Sequence, residues 1–162
     1  MQQVIKAIDA INRVVGILLA AMLGVMSILI ILQVISRFVI NFPLTWSEEL
    51  SRYLMIYIVF LGAGLAMRHN NLISIELLPE LLSGNKRRAV IILVMIISII
   101  FFAILFKQGI DILSMVKMQS SPGLQLSMSI PYASIPIGSF VLAINSLAVI
   151  LDQLSNKQEG EI

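Results

Sequence analysis

The run Val14–Ser36, VVGILLAAMLGVMSILIILQVIS, extends for 23 residues without an acidic or basic side chain. As an α-helix it would measure about 35 Å, enough to cross the hydrocarbon core of a bilayer. A cleaved secretion signal needs a shorter apolar core followed by a small-residue cleavage site, so the run predicts a retained first span. Gly16, Ala20 and Gly24 recur every fourth position along it. Such a stripe lets a second helix approach closely, either within this chain or from a partner. Upstream, Val4, Ile5, Ile8 and Ile11 alternate with Lys6 and Arg13, which predicts a short amphipathic surface helix over 2–13.

Three more apolar runs follow, at about 46–67, 89–106 and 131–151. Apolar residues make up 59% of the 162-residue chain, well above the share in soluble domains, so the class is an integral membrane protein. The predicted fold is all-α, one membrane domain over 1–162, with four transmembrane helices and short amphipathic surface helices. The second surface segment is 72–82, where Glu76 and Glu80 share one face and Ile75, Leu77, Leu78, Leu81 and Leu82 lie on the other. Pro131 suits the first turn of the fourth span, and Pro136 and Gly138 inside that span predict a kink.

A net charge of +2 gives no reason to invoke nucleic acid; the basic residues flank loops instead. Four spans place both termini on one side, together with Lys6, Arg13, Arg68, Lys86, Arg87, Arg88 and Lys157. The other side holds Arg37, Arg52, Lys107 and Lys117. That bias predicts cytoplasmic termini, with Lys86-Arg87-Arg88 as a membrane-surface flank on the cytoplasmic side, a topology signal more often than a lipid-headgroup site.

Between the first two spans stands Pro43-Leu44-Thr45-Trp46-Ser47-Glu48-Glu49-Leu50-Ser51-Arg52-Tyr53. Thr45 and Glu48 have the spacing of a capping box, so a helix should start there. Thr45, Glu48, Glu49 and Arg52 fall on one arc of that helix, with Glu48 four residues before Arg52. Charges at a membrane helix end are costly unless paired, which suggests either an i,i+4 pair or docking onto a partner. Trp46, Tyr53 and Tyr57 lie around from the stripe, where rings often anchor a helix at the headgroups.

Little chemistry is available elsewhere. There is no cysteine and a single histidine, His69, so zinc has no histidine pair and a serine nucleophile has no base at membrane depth. The polar residues within the spans, Ser27, Gln33, Ser98, Ser139, Asn145 and Ser146, form no evident ion path. No enzymatic activity and no cofactor are expected.

With these residues in hand, the chain resembles the small membrane subunit of tripartite ATP-independent periplasmic (TRAP) transporters. The likeness runs from about Arg37 to Leu151. It rests on Arg37, on Leu44-Thr45-Trp46-Ser47-Glu48-Glu49-Leu50-Ser51-Arg52, and on Gly62-Ala63-Gly64-Leu65-Ala66-Met67-Arg68. Ser121-Pro122-Gly123-Leu124 and Ile130-Pro131-Tyr132 through Ile135-Pro136-Ile137-Gly138 complete it. One departure is plain: after Arg68 the family commonly carries a histidine-isoleucine pair, whereas here Leu72-Ile73 precedes Ile75-Glu76, and His69 is not at that position. The resemblance implies a bacterial inner-membrane scaffold bound to a much larger multi-span subunit. That subunit would hold the sodium and substrate sites, and a periplasmic binding protein would deliver an organic acid such as sialic acid or a C4-dicarboxylate. Arg37, Trp46, Glu48, Glu49, Arg52 and the Gly16/Ala20/Gly24 stripe are the expected partner-facing residues. A small homo-oligomeric channel or exporter packed through the glycine stripe is the alternative.

Overall fold

A computed structural model describes residues 2–42, 44–68 and 85–159. Among them the chain forms α1 (Gln2–Ile35), a π-helical turn (Ser36–Ile40), α2 (Thr45–Arg68), α3 (Asn85–Val116), the single turn α4 (Ser129–Tyr132) and α5 (Ser134–Glu159). Four stretches are long and apolar enough to cross a membrane: Gln2–Ile40, Thr45–Arg68, Lys86–Val116 and Ser129–Leu154.

Two helices outrun the hydropathy that predicts them. The 34 residues of α1 measure about 51 Å and the 32 residues of α3 about 48 Å, against a hydrocarbon core of about 30 Å. Such helices tilt or project into the headgroups. Residues 2–13 do not form a separate surface helix: they are the first turns of α1. No proline interrupts Gln2–Ile35, and Ile8 and Asn12 are buried among the other helices. At the far side, α3 runs ten residues past Phe106, carrying Lys107 and Asp111 exposed. The expected surface segment 72–82 lies outside the described residues.

The turn between α1 and α2 is closed locally. Asn41 takes the left-handed conformation, φ 54°, which short polar side chains tolerate best after glycine. Both the Asn41 and Phe42 amides donate to the Ser36 carbonyl, and the Ser36 hydroxyl donates to the Phe42 carbonyl. At the other end of the chain the helix breaks one turn before Pro136. Pro136 has no N–H to offer, and its ring crowds the carbonyl four residues back, that of Tyr132. The helix therefore breaks at Ala133 and restarts at Ser134, whose hydroxyl donates to the Pro131 carbonyl at 2.6 Å.

The helices stand in the order α1, α2, α5, α3. No Cα atoms of α3 come within 8 Å of α1 or α2 among the described residues, while α5 packs along both α2 and α3. The arrangement is an open row rather than a closed four-helix bundle, with α1 leaning over to touch one end of α5. Accordingly α5 has 56% of its membrane window buried, against 11–22% for the other three. Met67 of α2, Met95 and Phe102 of α3, and Leu142 and Val149 of α5 make the core cluster. Gly138 brings α5 onto α2: a Cβ there would lie 2.5 Å from the Phe60 Cβ.

The buried hydroxyls and amide of α5 are bonded within the chain, whereas Ser51 Oγ of α2 and Arg88 Nη2 of α3 are buried without a hydrogen-bond partner among the described residues. Ser139 and Ser146 return their hydroxyls to carbonyls of their own helix, Ile135 and Leu142. Asn12 and Asn145 pair reciprocally, at 2.6 and 3.0 Å, and Asn145 Nδ2 also donates to the Gly64 carbonyl at 2.9 Å. One amide pair, with both side chains almost fully buried, thus joins α1, α2 and α5.

Candidate functional site

The charged stripe at the start of α2 divides into an inward and an outward half. Thr45 is the first residue of the helix, not its cap, so the capping box does not form. Beside it the buried Ser47 hydroxyl donates to the Leu44 carbonyl at 2.8 Å. Adjacent helical residues point about 100° apart, and here that angle separates the two glutamates. Glu48 faces out beside Arg52, with Oε1 3.7 Å from Nη2 and both side chains more than half exposed. Glu49 faces in.

Glu49 is consumed by this chain. Its Oε2 accepts the backbone N–H groups of Gly123 and Leu124, both at 2.8 Å, and its Oε1 accepts the Tyr53 hydroxyl. The loop that supplies those amides is a tight hairpin. The Ser121 N–H donates to the Leu126 carbonyl at 2.8 Å, the Met128 N–H donates to the Gln119 carbonyl at 2.9 Å, and Gln125 sits at φ 54°. Two convergent amides make a small anion nest. Glu49 is therefore a latch between α2 and the loop before α4, and not a group free to meet a partner.

The latch requires a glycine. A Cβ at position 123 would lie 2.5 Å from Glu49 Oε2, a separation that real side chains do not tolerate. Gly123→Ala should release the loop from α2, and Glu49→Gln, which weakens the charge-assisted bonds, should do so in part. Amide hydrogen exchange at Gly123 and Leu124 in detergent checks this. Exchange several-fold faster in Glu49→Gln is expected, with the α5 core amides unchanged.

The two tyrosines act as ties, not as free headgroup anchors: Tyr53 binds Glu49, and the Tyr57 hydroxyl donates to the Ile130 carbonyl at 2.7 Å. Trp46 remains exposed. Between the first four turns of α2 and the segment Pro122–Ile135 lies a cleft of about 670 Å³. Glu48, Glu49 and Arg52 stand at its mouth, and Ile56, Phe60, Pro131 and Ile135 continue it downwards.

The remaining expected site residues are dispersed. Gly16 lies against Leu65 of α2, 3.7 Å from where its Cβ would be, whereas Gly24 meets nothing within 4 Å and Ala20 is exposed. Only the upper part of the small-residue stripe is free for another chain. Arg37 is exposed on the π turn, and Lys86 and Arg87 are exposed at the start of α3, with Arg88 half-buried.

At the opposite end of the row sits a cluster that sequence reasoning missed. Arg68, the last residue of α2, donates from Nε to Asp9 Oδ1 at 2.8 Å and from Nη2 to Asp9 Oδ2 at 3.3 Å. Its Nη1 donates to Asp152 Oδ2. One guanidinium, only 16% exposed, holds the ends of α1, α2 and α5 together. The sole hint in the sequence was an arginine closing a span with one aspartate near the start of the first helix and another at the end of the last.

Among the described residues no three metal-ligating side chains come together. The fold and its surfaces define a polytopic helical membrane protein whose polar groups tie helices and loops to one another. It belongs to the DctQ component family of the tripartite ATP-independent periplasmic transporters, whose model matches residues 26–156. The chain is thus a permease subunit and not an enzyme.

Relatives agree. A TRAP transporter small permease protein of Haemophilus influenzae is 43% identical over 68 residues, which cover 42% of each chain. The ectoine TRAP transporter small permease protein TeaB of Halomonas elongata is 27% identical over 149 residues, 91% of this chain and 77% of that one. The isethionate TRAP transporter permease protein DctMQ of Oleidesulfovibrio alaskensis is 26% identical over 111 residues, which are 67% of this chain but 18% of that protein.

Proposed function

We propose that the chain is a non-transporting small subunit that braces a much larger permease in the bacterial inner membrane. The observation that carries this reading is the open helix row. Three helix-to-helix spacings of about 9 Å plus one helix diameter give a wall roughly 35–40 Å wide and one helix thick. A wall of that shape leaves both faces apolar and open, which suits a belt around another membrane protein better than a self-contained pore. The relative DctMQ, in which a matching segment is a minor part of one long permease chain, supports association with a large partner.

On this reading Ala20, Gly24, Arg37 and Trp46, all exposed, are the contact residues. Glu49 is withdrawn from that role by its loop. Lys86 and Arg87, with Arg88, set the cytoplasmic side, and both termini lie there. The large subunit carries the sodium and substrate sites, and a periplasmic binding protein delivers the substrate. Relatives named for ectoine, isethionate, sialic acid and C4-dicarboxylate favour a small organic acid or zwitterion as cargo.

Mass measurement in detergent tests the assembly. Co-expression with the large permease of the same transporter should yield one copy of each. A homo-oligomer of this chain that excludes the permease would support the channel reading instead.

A further inference from the structure

We infer that the cleft beside α2 is a binding site for one ammonium-bearing zwitterionic phospholipid of the leaflet at the non-terminal end. Three features of the cleft specify that ligand. The first is charge at the mouth. Glu48 and Arg52 are exposed and stand 3.7 Å apart at their nearest atoms, too far for a tight bond, so each keeps capacity for a ligand. Arg52 can donate to a lipid phosphate, and Glu48 can accept from a lipid ammonium. Glu49, next to them, adds a second negative charge at the mouth, which disfavours a headgroup with net negative charge.

The second feature is length. From Glu48 to Phe60 the wall of α2 descends twelve residues, about 18 Å at 1.5 Å per residue. That is close to half of a hydrocarbon core of about 30 Å, the depth reached by one acyl chain from its own headgroup. The third is the floor. Ile56, Phe60 and Ile135, each half-buried, line the lower part beside the buried Pro131, so the floor keeps apolar surface open to the cleft.

The test is native mass spectrometry of the full chain in detergent. Phosphatidylethanolamine, phosphatidylcholine and phosphatidylglycerol of matched acyl chains are added at equal concentration. One phosphatidylethanolamine should be retained about three- to fivefold more than either of the others, a ratio typical of partly exposed ion pairs. Phosphatidylcholine is the sharper comparison, because its quaternary ammonium has no N–H to give Glu48.

Glu48→Gln should abolish the preference over phosphatidylcholine, and Arg52→Gln should lower retention of phosphatidylethanolamine. Both side chains are exposed, so circular dichroism should match the parent chain. Ile56→Trp, which fills the lower cleft from α2, should reduce retention of all three lipids. Equal retention of the three by the parent chain, or an unchanged preference in Glu48→Gln, would mean annular lipid only and would overturn the proposal. So would complete displacement of the lipid when the large permease binds, since the groove would then belong to that partner. None of these readouts measures transport, so the site can fail while the bracing role stands, and the reverse.

Discussion

Arg68→Ala is expected to lower the unfolding free energy of the chain by roughly 2 kcal/mol, between the 3–5 of a broken buried pair and the 0–1 of an exposed one. The intermediate value follows from the geometry. Arg68 is 16% exposed, but Asp9 and Asp152 are 49% and 37% exposed, so water recovers part of what each carboxylate loses. Equilibrium unfolding in mixed detergent micelles measures the change. Arg68→Lys should recover less than half of it, because an ammonium cannot reproduce the fork that reaches both oxygens of Asp9 while also holding Asp152. A cycle combining Arg68→Ala with Asp9→Ala should be strongly non-additive. Simple additivity would show that the three helix ends are held by packing and not by this ion cluster.

Asn145→Ala should cost a similar amount, roughly 1–3 kcal/mol. The substitution leaves the Asn12 amide and the Gly64 carbonyl without their partner in an apolar interior. It also opens a cavity at a position with no exposure at all. Asn145→Leu should be no better. A leucine, close to asparagine in shape, fills the space but still leaves the Asn12 amide without its partner. The same micelle titration gives the value. A variant as stable as the parent would mean that Asn12 and Gly64 find water or another partner. The two substitutions act at one end of the row, so they also ask whether α1 stays attached to α2 and α5.

The spans were legible in the sequence because hydropathy over some 20 residues is a sum, insensitive to any one contact. Helix ends were less so. Nothing in apolarity marks where α1 begins or α3 stops, because both helices continue through polar residues that the headgroup region and their own backbone bonds satisfy. The charged turn was legible as a place but not as a mechanism. A helical wheel puts Glu48 and Glu49 on one arc; it does not say which of them meets the loop at Gly123, 74 residues further on. The same holds for Arg68, whose two carboxylates lie 59 and 84 residues away. Tyr53 and Tyr57 were read as membrane anchors because their partners, Glu49 apart, are backbone and loop groups with no sequence signature. Asn145 carried a usable signal: an amide in an apolar span is expensive alone, and Asn12 at the matching end of the first helix was the available second amide.

The central claim is that this chain braces a transporter and carries nothing itself. Proteoliposomes test it most directly, with uptake of radiolabelled substrate followed under an inward sodium gradient. The chain alone should give uptake no faster than empty liposomes. The large permease with its periplasmic binding protein should be slow or inactive, and adding this chain should restore uptake. Substrate accumulation by the chain alone, or full uptake without it, would contradict the account.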